Sequence, residues 1–143
     1  MKSFEIQISA GFYISAAFAV LLLPWKLLLA FILAASIHEL CHLVVLKWYR
    51  VPVHQIKLGL FGAKITTGPL LPLQELICAA AGPVGSLMLV LLSGWAPLLA
   101  LFGLFQGVFN LLPVYPLDGG RIFRSIFMLA KMARWDYNSP DYK

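Results

Sequence analysis

Charge is scarce in this chain, and unevenly so. Of 143 residues, 11 are Lys or Arg and 6 are Asp or Glu, so 12% are charged, against about 25% in an average soluble domain. Residues 76–117 carry no charged side chain at all, a run too long for one membrane crossing of about 20 residues. With 61% hydrophobic residues and a mean hydropathy of +0.86, an ordinary soluble domain is excluded and a polytopic membrane protein is expected. Cysteine is nearly absent: Cys41 and Cys78 both fall in apolar stretches, which leaves no disulfide framework and no sign of redox compartment. The net charge of +5 does not gather into a basic patch interleaved with aromatics, so no nucleic-acid partner is indicated. A secretory leader is not expected either. The first residues alternate as Phe4-Glu5-Ile6-Gln7-Ile8 instead of carrying a basic segment, so the apolar stretches read as retained spans.

Histidine is rare too, with three in the chain, yet two of them stand four apart in Ile37-His38-Glu39-Leu40-Cys41-His42, inside the otherwise uncharged residues 27–46. On a helix this spacing sets both imidazoles on one face about a turn apart, where one metal ion can take both, with Glu39 beside them. Zinc accepts neutral imidazole nitrogens and, in catalytic sites, keeps one position for water, from which a nearby carboxylate takes a proton. The bland alternative is a structurally satisfied polar cluster. Ionisable side chains cost about 2.5 to 3.5 kcal/mol each near a bilayer centre, so three in one span favour a metal site. Cys41 reads as a small apolar residue on a neighbouring face. His54, distant in the chain, reads as interfacial.

Taken in order, residues 4–9 alternate as a short strand, residues 10–23 form a first span ending at Pro24-Trp25-Lys26, and residues 27–46 form a second. Residues 47–72 break the helical pattern, alternating on either side of Gly62, which favours a β-hairpin over a plain loop. Strands beside a buried site could pair with an unwound peptide. Ser93-Gly94-Trp95-Ala96-Pro97 divides the long uncharged run into spans three and four, the latter over residues 98–112. Small residues at Ala79-Ala80-Ala81-Gly82-Pro83-Val84-Gly85-Ser86 permit close helix approach, and Glu75 suits the interface at a helix N-terminus. All Lys and Arg except Lys26 then fall on one side. The N-terminus and active-site side are therefore expected in the cytoplasm, with the histidines nearer that face. Residues 121–134 set Arg121, Arg124, Lys131 and Arg134 on one stripe, an interfacial helix on an anionic leaflet or else a shortened fifth span.

A two-histidine site needs another ligand. Asp118, in Asn110-Leu111-Leu112-Pro113-Val114-Tyr115-Pro116-Leu117-Asp118-Gly119-Gly120-Arg121, is the candidate, because the topology returns it to the face where His38 and His42 lie. Pro113 and Pro116 are expected to hold the preceding backbone extended, and Gly119 and Gly120 to let the main chain approach closely. The alternative use of Asp118 is as a helix N-cap.

H-E-x-x-H in an early span, a Gly-Pro stretch in the next and N-x-x-P-x-x-P-L-D-G-G after a later one together resemble the site-2 protease family of intramembrane zinc metalloproteases, most nearly its stage IV sporulation protein FB type. The resemblance runs from about Phe4 to Ala133. It implies one Zn²⁺ per chain on His38, His42 and Asp118, Glu39 as catalytic base, and Asn110 holding the scissile region. A helix-to-helix hydrogen bond is the plainer use of Asn110. Ser86 stands where many relatives have Asn, and no role is carried over to it. The fold expected is α, with about four transmembrane helices. A small sheet of N-terminal strand plus hairpin lies near the cytoplasmic interface, followed by the C-terminal interfacial helix. Residues 1–134 form one domain and 135–143 a tail. The function implied is cleavage of a membrane-tethered protein, such as a sporulation sigma-factor precursor or an anti-sigma factor, in the lipid bilayer of a bacterial cell membrane, with an inhibitory or regulatory membrane partner. A non-proteolytic metal-binding or metal-transport protein would use the same ligands.

Overall fold

Proline sets where the apolar segments stop. In the computed structural model, which describes residues 5–59 and 62–137, the order is β1 (Glu5–Ile8), α1 (Ala10–Leu22), α2 (Trp25–Trp48), β2 (Val53–Gly59), β3 (Gly62–Thr67), α3 (Pro72–Met88), α4 (Pro97–Asn110) and α5 (Asp118–Tyr137). A 3₁₀ turn, Leu89–Leu92, continues α3. Pro24 separates α1 from α2, while Pro72 and Pro97 open α3 and α4 in the first turn, where a missing N–H removes no helical bond.

Of the four expected crossings, two reach full length: α2 and Pro72–Leu92 are long and apolar enough to span a bilayer. The apolar helices α1 and α4 have 13 and 14 residues, about 20 Å at 1.5 Å per residue against a hydrocarbon core of about 30 Å. Two of the four expected spans are thus long helices of full crossing length, and the other two, α1 and α4, are short apolar helices that flank them. The side chains of α2 are arranged inside out relative to a soluble helix. Its buried face is Ala30, Ala34, His38, His42 and Leu46, at four-residue spacing, while Phe31, Ile32, Leu40 and Val44 are exposed. Small and polar residues inward with large apolar ones outward suit a bundle packed in lipid. The facing helix α3 buries Cys78, Ala79, Gly82, Pro83 and Ser86, and α3 in turn packs against α2, α4 and α5.

The expected strand and hairpin are present as one sheet, ordered β1-β2-β3. β1 runs parallel to β2, pairing Glu5 with Gln55 and Ile8 with Leu58, and β2 is antiparallel to β3, with an irregularity between Val53 and Gln55. Phe4, Leu60, Phe61 and residues 138–143 of the expected tail lie outside the described residues.

Two further expectations are corrected near the C-terminus. Residues 111–117 are not extended: Leu111 N and Leu112 N bond back to carbonyls in the last turn of α4, and Val114 N to Leu112 O (2.7 Å) and Leu117 N to Val114 O (2.9 Å) continue the chain in turns. The last helix begins at Asp118 and runs to Tyr137, so it includes the start of the expected tail. Gly119 and Gly120 serve close approach, as expected. A Cβ at 119 would overlap the Leu111 and Leu112 carbonyl oxygens, and one at 120 would stand 2.8 Å from Tyr115 N.

Candidate metal centre

His38 and His42 share the buried stripe of α2, and Asp118 reaches them from the first turn of α5. The three are 3%, 5% and 7% exposed. Asp118 Oδ2 lies 3.1 Å from each Nε2, and the two Nε2 atoms are 3.2 Å apart. Three ligand atoms thus form a nearly equilateral triangle from residues 76 and 80 positions apart. The two ring nitrogens facing away are also engaged. His42 Nδ1 lies 2.7 Å from the Cys78 carbonyl oxygen and His38 Nδ1 2.9 Å from Ser86 Oγ. A carbonyl only accepts, so His42 donates from Nδ1, and Nε2 is the nitrogen it turns toward Asp118 and a metal.

That donor set fits a metal ion. Two imidazole nitrogens and a carboxylate oxygen converge on one point, where a cation would take the place of the protons that otherwise join them. Ligands about 2.0 to 2.1 Å from zinc in a tetrahedron are about 3.3 Å from one another, close to the separations found. Gly82 completes the cradle. A Cβ there would overlap His42 Nε2 and come within 2.7 Å of His38 Nε2. We therefore expect Gly82→Ala to lower zinc content sharply, with Gly94→Ala, whose Cβ would meet no atom within 4 Å, retaining it. Zinc analysis of the two purified variants checks this.

The far side of Asp118 is held as firmly. Arg121 Nη1 donates to Asp118 Oδ1 at 3.2 Å and its Nε donates to Glu75 Oε1 at 3.1 Å. The carboxylate is thereby turned with Oδ2 toward the histidines, and α5 is tied to α3. Burial alone would lower the Arg121 pKa, but the bond to Glu75 and the charges of Glu75 and Asp118 outweigh it and raise it, so the tie stays charged.

Glu39 is half-buried on the adjacent face of α2, within electrostatic reach of His38, His42, Asp118 and Arg121. Asn110 is not brought into the cluster: its Nδ2 donates to the Gln106 carbonyl oxygen at 3.0 Å, within α4. His54 sits in β2, outside the ligand group, beside Gly68. Cys41 packs its sulfur against Gly85 and is free, as is Cys78.

Ser86, the Cys78 carbonyl, Gly82 and the Arg121–Glu75 pair are site parts that sequence reasoning passed over. A signal existed for Ser86, the one hydroxyl in α3, since a polar side chain within an apolar helix needs a partner. Outer partners of metal-bound histidines typically contribute 10- to 100-fold in metal affinity. Ser86→Ala is accordingly expected to weaken zinc binding by about tenfold in competition with a chromogenic chelator, with Ser86→Thr close to wild type.

Comparison with known proteins finds zinc metalloproteases. The sequence model of Peptidase family M50 matches residues 90–136, the segment that carries Asp118. Zinc metalloprotease MJ0392 of Methanocaldococcus jannaschii is 32% identical over 117 residues, covering 71% of this chain and 34% of that protein. A Synechocystis protein assigned as a zinc metalloprotease, sll0528, is 37% identical over 123 residues, covering 72% and 32%. The chain spans about a third of the length of these curated relatives. The structure of a site-2 protease from Methanocaldococcus jannaschii superimposes with a TM-score of 0.68 at 26% identity, covering 89% of this chain and 68% of that one. The matched segment, the zinc metalloproteases of similar sequence and the shared fold all make this chain similar to site-2 proteases and to Peptidase family M50.

Proposed function

We propose that this chain is the core of an intramembrane zinc metalloprotease that hydrolyses a peptide bond in a membrane-associated protein. The observation that carries the reading is the buried His38–His42–Asp118 triangle with Glu39 beside it. Zinc held there would polarise a peptide carbonyl and acidify water. Glu39 takes the proton from the attacking water at its carboxylate and returns it to the departing amine. His38 and His42, fixed by Ser86 and Cys78, keep their Nε2 lone pairs on the metal, and Arg121 keeps Asp118 from rotating away. Asn110 would hold the scissile carbonyl by exchanging its bond to Gln106 O for one to substrate. β3 has no second strand partner among the described residues, so its outer edge is a place for an extended substrate segment to pair.

The narrower reading follows the motif pattern. α1 to α4 are embedded with the N-terminus and active-site face in the cytoplasm, the bilayer thinning around the short helices, and α5 lies along the interface. The enzyme is of the stage IV sporulation protein FB type. It acts in a bacterial cell membrane on a sigma-factor precursor or anti-sigma factor, under a silencing membrane partner. Co-expression with a tagged, membrane-tethered sigma-factor precursor tests it: wild type shortens the precursor and Glu39→Gln leaves it intact. Reconstituted vesicles that pass zinc without proteolysis would instead establish a metal transporter.

A further inference from the structure

α4 contains two polar side chains, Gln106 and Asn110, in an otherwise apolar helix. Both are half-buried, one turn apart on the face that includes Phe102. Gln106 Oε1 is buried with no hydrogen-bond partner among the described residues. A buried amide oxygen in an apolar helix without a partner is a costly feature that a sequence keeps for a reason.

Its position in the bundle suggests the reason. α2 and α4 run side by side in the same direction, for the starts of both helices, Trp25, Lys26 and Leu29 with Ala96, Pro97 and Leu98, line one apolar cavity of about 380 Å³. Further in, the rings of Phe31 and Phe102 meet at 5.8 Å. Measured from that contact at 1.5 Å per residue, His38 lies about 10 Å deeper along α2, with Gln106 about 6 Å and Asn110 about 12 Å deeper along α4. The two amides therefore bracket the level of the metal centre. Their rise of about 6 Å also approaches the repeat of about 6.6 to 6.8 Å between alternate residues of an extended chain.

We propose that Gln106 binds the main chain of the unwound substrate, its Oε1 accepting a peptide N–H two residues from the position held at Asn110. The inference rests on the protease reading above. Unwinding a helix in lipid frees N–H and C=O groups that must find partners, and Gln106 supplies an acceptor that is vacant until substrate arrives.

The test uses Gln106→Leu in the zinc-loaded protein. Its peptide substrate carries a transmembrane segment that wild type cleaves and Glu39→Gln does not. KM is expected to rise about tenfold with kcat within about threefold and zinc content unchanged, as for lost uniform binding, and Gln106→Asn recovers part of the loss. N-methylation of the contacted amide costs wild type a similar factor and Gln106→Leu nothing. The melting temperature of Gln106→Leu rises by about 3 °C, because an unsatisfied group has been removed. A lower melting temperature, or an unchanged KM while wild type cleaves normally, overturns the assignment. Absence of cleavage by wild type itself sinks the protease reading instead.

Discussion

Glu39→Gln protein is expected to purify with as much zinc as wild type and to cleave its substrate about a thousandfold more slowly. The amide fills the same half-buried space, and Glu39 is not one of the three converging ligand atoms, so the metal site is left intact. What is lost is the ability to accept a proton beside His38 and His42. Positioned acid–base groups contribute about 10² to 10⁴ in rate, and here one group serves both proton transfers, so the upper part of that range applies. Zinc analysis and initial rates on the same preparation check both halves. Substantial activity in this variant would remove Glu39 from the mechanism.

Asp118→Ala has the other large effect, and it separates metal from base. The substitution deletes the carboxylate that joins α5 to α2 and leaves Arg121 Nη1 without its carboxylate partner. Two imidazoles alone make an incomplete site, and zinc affinity is expected to fall by more than about a hundredfold, a larger loss than outer partners cause. Activity falls with it. Zinc that binds only the folded state adds to stability by mass action. A strong chelator should therefore lower the melting temperature of wild type and leave that of Asp118→Ala unmoved. Equal zinc content in the two proteins would show that Asp118 is not a ligand.

The half of the site written in local spacing was legible from the residues. His38 and His42 share a helix, so four-residue periodicity alone places their side chains together, and Glu39 follows. Asp118 needed a topological step: it is the first residue of α5, and its carboxylate is turned to the imidazoles and Arg121. The parts that were not legible depend on packing between helices. No spacing rule relates Ser86 to His38 across 48 positions, or Arg121 to Glu75 across 46; those contacts exist because Gly82 and Gly85 let α3 press against the imidazoles and Cys41. Glu75 stands in the first turn of α3, where it was read, and also anchors the Asp118 strut through Arg121. The helix limits were legible to within about two residues: the spans read at 10–23, 27–46 and 98–112 are helices over Ala10–Leu22, Trp25–Trp48 and Pro97–Asn110. An apolar run says that a segment avoids water, but proline and turn bonding, as at Pro24, Pro97 and residues 111–117, decide how much of it is helix.

The central claim, that the His38–Glu39–His42–Asp118 site cuts membrane-associated proteins, is tested most directly in cells. Membrane proteins and their new chain termini are compared by mass spectrometry between cells carrying wild type and cells carrying Glu39→Gln. At least one membrane-tethered protein is expected to accumulate intact with Glu39→Gln and, with wild type, to yield fragments ending in or next to its transmembrane segment. Identical sets of intact proteins and termini in the two strains, with both enzymes present and zinc-loaded, would contradict it.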